Sequence, residues 1–135
     1  MSDAKSAIGR ERLFKARQHN LPIRIHLQKM YSKYLREVVQ YPKIYKPTIG
    51  QDMRECFATL RSKINHAAKL HHKLTALREA DTALECLRDA VWAAFDVRCI
   101  SEGQYGLWAE DLSTLGMMLG GWMRDARNAE QKAQR

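Results

Sequence analysis

Apolar residues recur along most of the chain at steps of three and four, the spacing that puts them on one face of an α-helix. From Pro22 the series Ile23, Leu27, Met30, Tyr31, Tyr34, Leu35, Val38 and Tyr41 predicts a first helix that Pro42 ends. The stretch YPKIYKPTIG (41–50) reads as a loop. Thr48 and Gln51 have the T-x-x-Q spacing of a capping box and predict a second helix striped by Met53, Phe57, Leu60, Ile64 and Ala67. The next position of that stripe is His71. A break near 70–75, with Thr75 capping the following helix, competes there with one continuous helix over 49–98. Leu77, Ala80, Leu84, Leu87, Val91, Ala94 and Phe95 then line a helix that ends before Ser101. Ser101 and Gln104 form a second capping box, opening a fourth helix with Tyr105, Trp108, Leu112, Leu115, Leu119, Trp122 and Ala126 on its seam.

No stretch alternates with the period of a strand. The expected architecture is therefore all-α, an up-down four-helix bundle over 21–128. A basic N-terminal arm (1–20), anchored only by Ile8, Leu13 and Phe14, precedes it, and a polar C-terminal tail (129–135) follows. Within STLGMMLGGWMRDAR the fourth helix carries Gly116, Gly120 and Gly121. Each interior glycine costs a helix about 1 kcal/mol relative to alanine. Close approach of a neighbouring helix, from the same bundle or another subunit, offsets that cost through added dispersion contacts. Gly116, Gly120, Gly121 and Trp122 are thus expected to serve helix packing or oligomer formation.

Charge changes the picture more than overall composition does. The formal net charge is +8, but residues 1–75 hold 16 Lys/Arg against 5 Asp/Glu, whereas residues 76–135 hold 7 against 10. A basic first half points to a polyanion such as nucleic acid, or to an acidic protein surface. Lys29, Lys33 and Arg36 follow one another at helical spacing. Arg54, Arg61 and Lys69 continue the series on the second helix, with Lys73 beyond. Such ridges contact phosphates rather than read bases, so the binding they predict tolerates sequence and is sensitive to salt. Tyr41 and Tyr45, in the same loop as Lys43 and Lys46, either stack on exposed bases or cover the end of the bundle.

Catalytic chemistry is absent from the pattern. There is no H-E-x-x-H, no E-x-x-H pair and no nucleophile elbow. His66, His71 and His72 diverge on a helix, which favours a packed His71 with the other two at the surface over a metal site. Three widely spaced cysteines, Cys56, Cys86 and Cys99, make neither a disulfide framework nor a zinc motif. With no apolar run long enough for a bilayer and no signal-peptide pattern, a cytoplasmic protein without membrane contact is expected. No metal, no cofactor and no catalytic residue are predicted.

Three segments, YPKIYKPTIGQDM, LREADTALECLRDAVWAAF (77–95) and ISEGQYGLWAEDLSTLGMMLGGWM (100–123), resemble the Avd family. These are the accessory variability determinant proteins of diversity-generating retroelements, related to bundles encoded in ribosomal-RNA intervening sequences. The resemblance covers about 22–127. It implies a four-helix bundle broken after its second helix and assembled as a homopentameric barrel, which here would carry a charge of about +40. It also implies a non-enzymatic subunit that binds RNA and DNA, docks a reverse transcriptase, and supports mutagenic retrohoming from template RNA to cDNA. Lys43, Lys46, Arg54, Arg78 and Arg88 are the basic positions that match the family. The arm has no counterpart in the family. The third helix departs too, with Glu79, Asp81, Glu85, Asp89 and Asp96 among its arginines, so its outer face suits a basic patch on a partner or a neighbouring subunit rather than RNA. The alternative to a polymerase accessory is a protein-interaction scaffold or a general RNA-binding bundle.

Overall fold

A computed structural model describes residues 21–134 together with 9, 10 and 12. The arm proposed at 1–20 lies, apart from those three positions, outside the described residues. Among the described residues from 21 onward, four helices follow in order: α1 (Pro22–Val38), α2 (Gln51–Ala67), α3 (Leu74–Asp96) and α4 (Glu102–Ala133). A single π-helical turn, Lys46–Gly50, leads directly into α2. Among the described residues there is no strand. Each helix packs on its sequence neighbours, and α1 closes the bundle against α4.

The predicted stripes form the core. Ile23, Leu27, Met30 and Tyr34 of α1 meet Met53, Phe57, Leu60, Ile64 and Ala67 of α2. Leu77, Leu84, Leu87 and Val91 of α3 and Trp108, Leu115 and Leu119 of α4 complete it. At its centre Phe57 touches three aromatic rings, with centroid distances of 5.4 Å to Tyr31, 5.4 Å to Tyr34 and 6.3 Å to Trp108. Leu35 departs from its predicted place. It lies one residue past the buried Tyr34, so it turns off the core face and is 47% exposed.

Helix ends separate the signals that worked from those that did not. Ser101 and Gln104 make the predicted reciprocal pair: the Gln104 N–H donates to Ser101 Oγ at 3.1 Å, and the Ser101 N–H to Gln104 Oε1 at 2.7 Å. Thr48 and Gln51 do not. The chain is already helical before Gln51, so no free N–H awaits a cap. Thr48 instead donates back to the Ile44 and Tyr45 carbonyls. The π-turn closes through Gly50 N–H to Tyr45 O at 3.0 Å. Gly50 is closely packed there: a Cβ would sit 3.0 Å from Val38 Cγ2, and Tyr34 donates its hydroxyl to the Gly50 carbonyl at 2.6 Å.

The break between α2 and α3 falls at 68–73, which removes the continuous 49–98 helix. His71 therefore leaves the stripe and is exposed, contrary to expectation. Leu70 packs against the core in its place. Thr75 does not cap α3, whose first helical residue is Leu74. At the other end of α3, Arg98 adopts φ 64°, and the N–H groups of Arg98 and Cys99 reach Phe95 O (3.0 Å) and Ala94 O (2.7 Å). This is a Schellman ending with arginine where glycine is usual, so the sequence carries no glycine to mark it. The polar tail continues α4 as far as Ala133.

Candidate nucleic-acid interface

The cations named above divide into two groups once the helices pack. Lys33 is half-buried and turned inward. Its ammonium pairs with Asp111 and lies 4.0 Å from the centroid of the Trp108 ring. Trp108 Nε1 donates to Glu37 Oε1 at 2.9 Å, and His26 Nε2 lies 2.9 Å from the Asp111 carbonyl oxygen. Together these contacts tie α1 to α4. Lys33 thus leaves the outward ridge, because a carboxylate 78 residues away draws it across the bundle.

Lys73 is withdrawn as well. Its ammonium donates to the carbonyls of Ala67 (2.7 Å) and Leu70 (2.6 Å), closing the C-terminal end of α2 where no glycine does so. Arg88 is half-buried, donating to Glu85 Oε1 at 2.7 Å and to the Leu112 carbonyl at 3.4 Å.

Lys29, Arg36, Lys43, Lys46, Arg54, Arg61, Lys69 and Arg78 are exposed. Lys29 and Arg36 are seven residues apart and share one face of α1. Arg54 and Arg61, likewise two turns apart, flank the seam between α1 and α2. The Arg61 guanidinium stacks 4.4 Å from the Tyr31 ring centroid, which fixes it without covering its outer side. Arg54 is close enough to Tyr34 to favour its phenolate, although burial dominates and keeps that pKa raised. Lys43 and Lys46 extend the positive surface around the α1–α2 end.

The two loop tyrosines have different fates. Tyr41 is buried, donates to Met53 Sδ at 3.5 Å, and has its phenol pKa pushed far up, first by burial and then by nearby Glu37. It covers the bundle end and cannot stack on a base. Tyr45 is half-buried and keeps part of its ring accessible.

The glycines also divide. A Cβ on Gly116 would lie 2.6 Å from Arg88 Nη2, so this glycine makes room for an arginine side chain rather than for a backbone. Gly120 and Gly121 face open space within the protomer. Gly121 and the half-buried Trp122 line a groove of about 360 Å³ beside Leu21, Pro22 and Met117. Met117 is 69% exposed there.

Among the described residues no group of three or more His, Cys, Asp or Glu is arranged to hold a metal ion. His66, His71 and His72 are all exposed. No helix of the described residues is long and apolar enough to cross a membrane.

Fold and surface thus define a class: a small four-helix bundle with exposed cations on α1, the 39–50 connection and α2. A family model described as bAvd-like matches residues 21–126, four-fifths of the chain, and the chain belongs to that family. It is a family of accessory, non-catalytic proteins. Comparison with curated proteins and with solved structures returns no match.

Proposed function

We propose that this chain is a non-enzymatic accessory subunit of a retroelement reverse transcriptase, holding template RNA, or the RNA–cDNA product, on the flank formed by α1, the 39–50 connection and α2. The observation that carries this reading is the exposed set Arg36, Lys43, Lys46, Arg54 and Arg61, beside the absence of carboxylate partners for them among the described residues. Phosphates are the groups such a surface attracts. Lys29, Lys69 and Arg78 enlarge the same positive field. With about five phosphates neutralised, affinity for single-stranded RNA is expected to fall on the order of a hundredfold between about 50 and 200 mM salt. Fluorescence anisotropy with a labelled oligonucleotide measures this directly. A flat response would remove the reading.

We infer also that protomers assemble into a homo-oligomer, a pentamer by family resemblance, in the cytoplasm. The open faces of Gly120 and Gly121, next to Trp122 and the exposed Met117, support a packing partner from another subunit. Gly120→Ala and Gly121→Ala are expected to raise protomer stability by about 1 kcal/mol each, since nothing lies near the added Cβ. The same changes should lower the mass found by light scattering. Greater stability at undiminished mass would show that the glycines serve no interface.

A further inference from the structure

The α2–α3 face has its own chemistry, which the nucleic-acid reading does not use. Trp92 is 52% exposed on α3. It is held in place by Phe95 and Tyr105, with ring centroids 5.6 Å away in each case, and those two rings stack on each other at 4.8 Å. Glu85, Asp89, Trp92 and Asp96 follow at steps of four, three and four, so they share one outward ridge. Beside that ridge, between α2 and α3, runs a groove of about 580 Å³ with Ala83, Cys86, Ala90 and Ala93 on its α3 side. Asp52, Glu55 and Asp89 stand along it.

Several of these carboxylates lack a counterion. Glu79 pairs with Lys63 and Glu85 with Arg88, but Asp52, Asp89 and Asp96 have no ion-pair partner among the described residues. Cys56, which also lines the groove, has its thiol pKa pushed up to about 11 by burial and then by Cys86, Asp52 and Glu55. The local field is therefore negative on a protein of net charge +8.

We infer that this face docks a basic segment of a partner protein, a helix with arginine or lysine along one side, with Trp92 as its anchor. The small side chains let a helix backbone come close. The carboxylates meet its cations, and the exposed indole offers a π-face to a guanidinium. Phosphate is repelled from the same surface, so polyanion and polycation occupy different faces. The inference rests on the proposed function in assigning nucleic acid to the α1–α2 flank, and it places the protein partner away from it.

The probe is a synthetic helical peptide with arginine at i and i+4 over an alanine–leucine background, and its glutamate counterpart is the control. Peptide anisotropy should show binding of the arginine peptide only. Trp92→Ala, and separately Asp52→Asn with Asp89→Asn, should each weaken it about tenfold or more. All these residues are exposed, and thermal melts would confirm that the variants fold. RNA affinity and light-scattering mass should stay unchanged. Equal binding of both peptides, or undiminished binding by the variants, would overturn the inference. A fall in mass would overturn it in favour of a second copy, and a tenfold loss of RNA affinity on Trp92→Ala would overturn it in favour of nucleic acid. Failure of the wild type to bind RNA removes the proposed function but leaves the peptide measurement readable.

Discussion

Replacing Phe57 by alanine is expected to destabilise the protein by about 3–5 kcal/mol, read as a lowered denaturant midpoint at unchanged slope. Phe57 has no exposed surface and joins three helices: Tyr31 and Tyr34 of α1 and Trp108 of α4 pack on its ring from α2. Removing it withdraws the transfer free energy of the ring and leaves a cavity that flanking aromatic groups, held by their own bonds, cannot fill. Tyr34 is fixed by its hydroxyl on Gly50 O, and Trp108 by its indole N–H on Glu37. Phe57→Leu, which retains much of the volume, should cost clearly less. A loss below about 1 kcal/mol for the alanine variant would mean that the bundle repacks freely around this point.

Reversing four exposed cations, Arg36→Glu, Lys43→Glu, Lys46→Glu and Arg54→Glu, is expected to lower RNA affinity by a hundredfold or more. If each meets one phosphate, the slope of log affinity against log salt should fall by about 3 in magnitude for a single strand. Lys33→Met serves as the contrast. Its ammonium faces Asp111 and Trp108 rather than solvent, so the substitution should reduce stability and leave RNA affinity nearly unchanged. Gel shift or anisotropy reports the first quantity and a thermal melt the second. Full RNA binding by the fourfold variant would remove the α1–α2 flank from the mechanism.

Lys33 and Arg36 show why a basic ridge cannot be read from spacing alone. Three residues apart on the same helix, they look equivalent in the sequence. Which one reaches solvent depends on Asp111 and Trp108, which the chain brings alongside only when α4 packs against α1. Lys73 shows the same principle at a helix end, where the carbonyls of Ala67 and Leu70 take its ammonium. Tyr41 and Tyr45 differ because Tyr41 is buried against Met53 of α2, whereas Tyr45 is only half-buried. The Trp92 face was equally hidden. Its three aromatic residues come from two helices, and nothing in their sequence positions announces that Tyr105 lies against Phe95.

By itself the sequence determined that the described residues form helices without strands, most of the residues that line their core, and where α4 begins. Those properties depend on local periodicity and on a cap whose partners are three residues apart, so they survive without knowledge of the rest. Three of its segments also pointed to the Avd family, and its charge asymmetry to a polyanion or an acidic protein surface. Only the tertiary structure decided which lysines remain available to a ligand, which glycine accommodates an arginine, and that α3 carries an anchored tryptophan within a negative surface. Each of those depends on a group distant in sequence, and side-chain direction at a helix surface follows from what packs beside it.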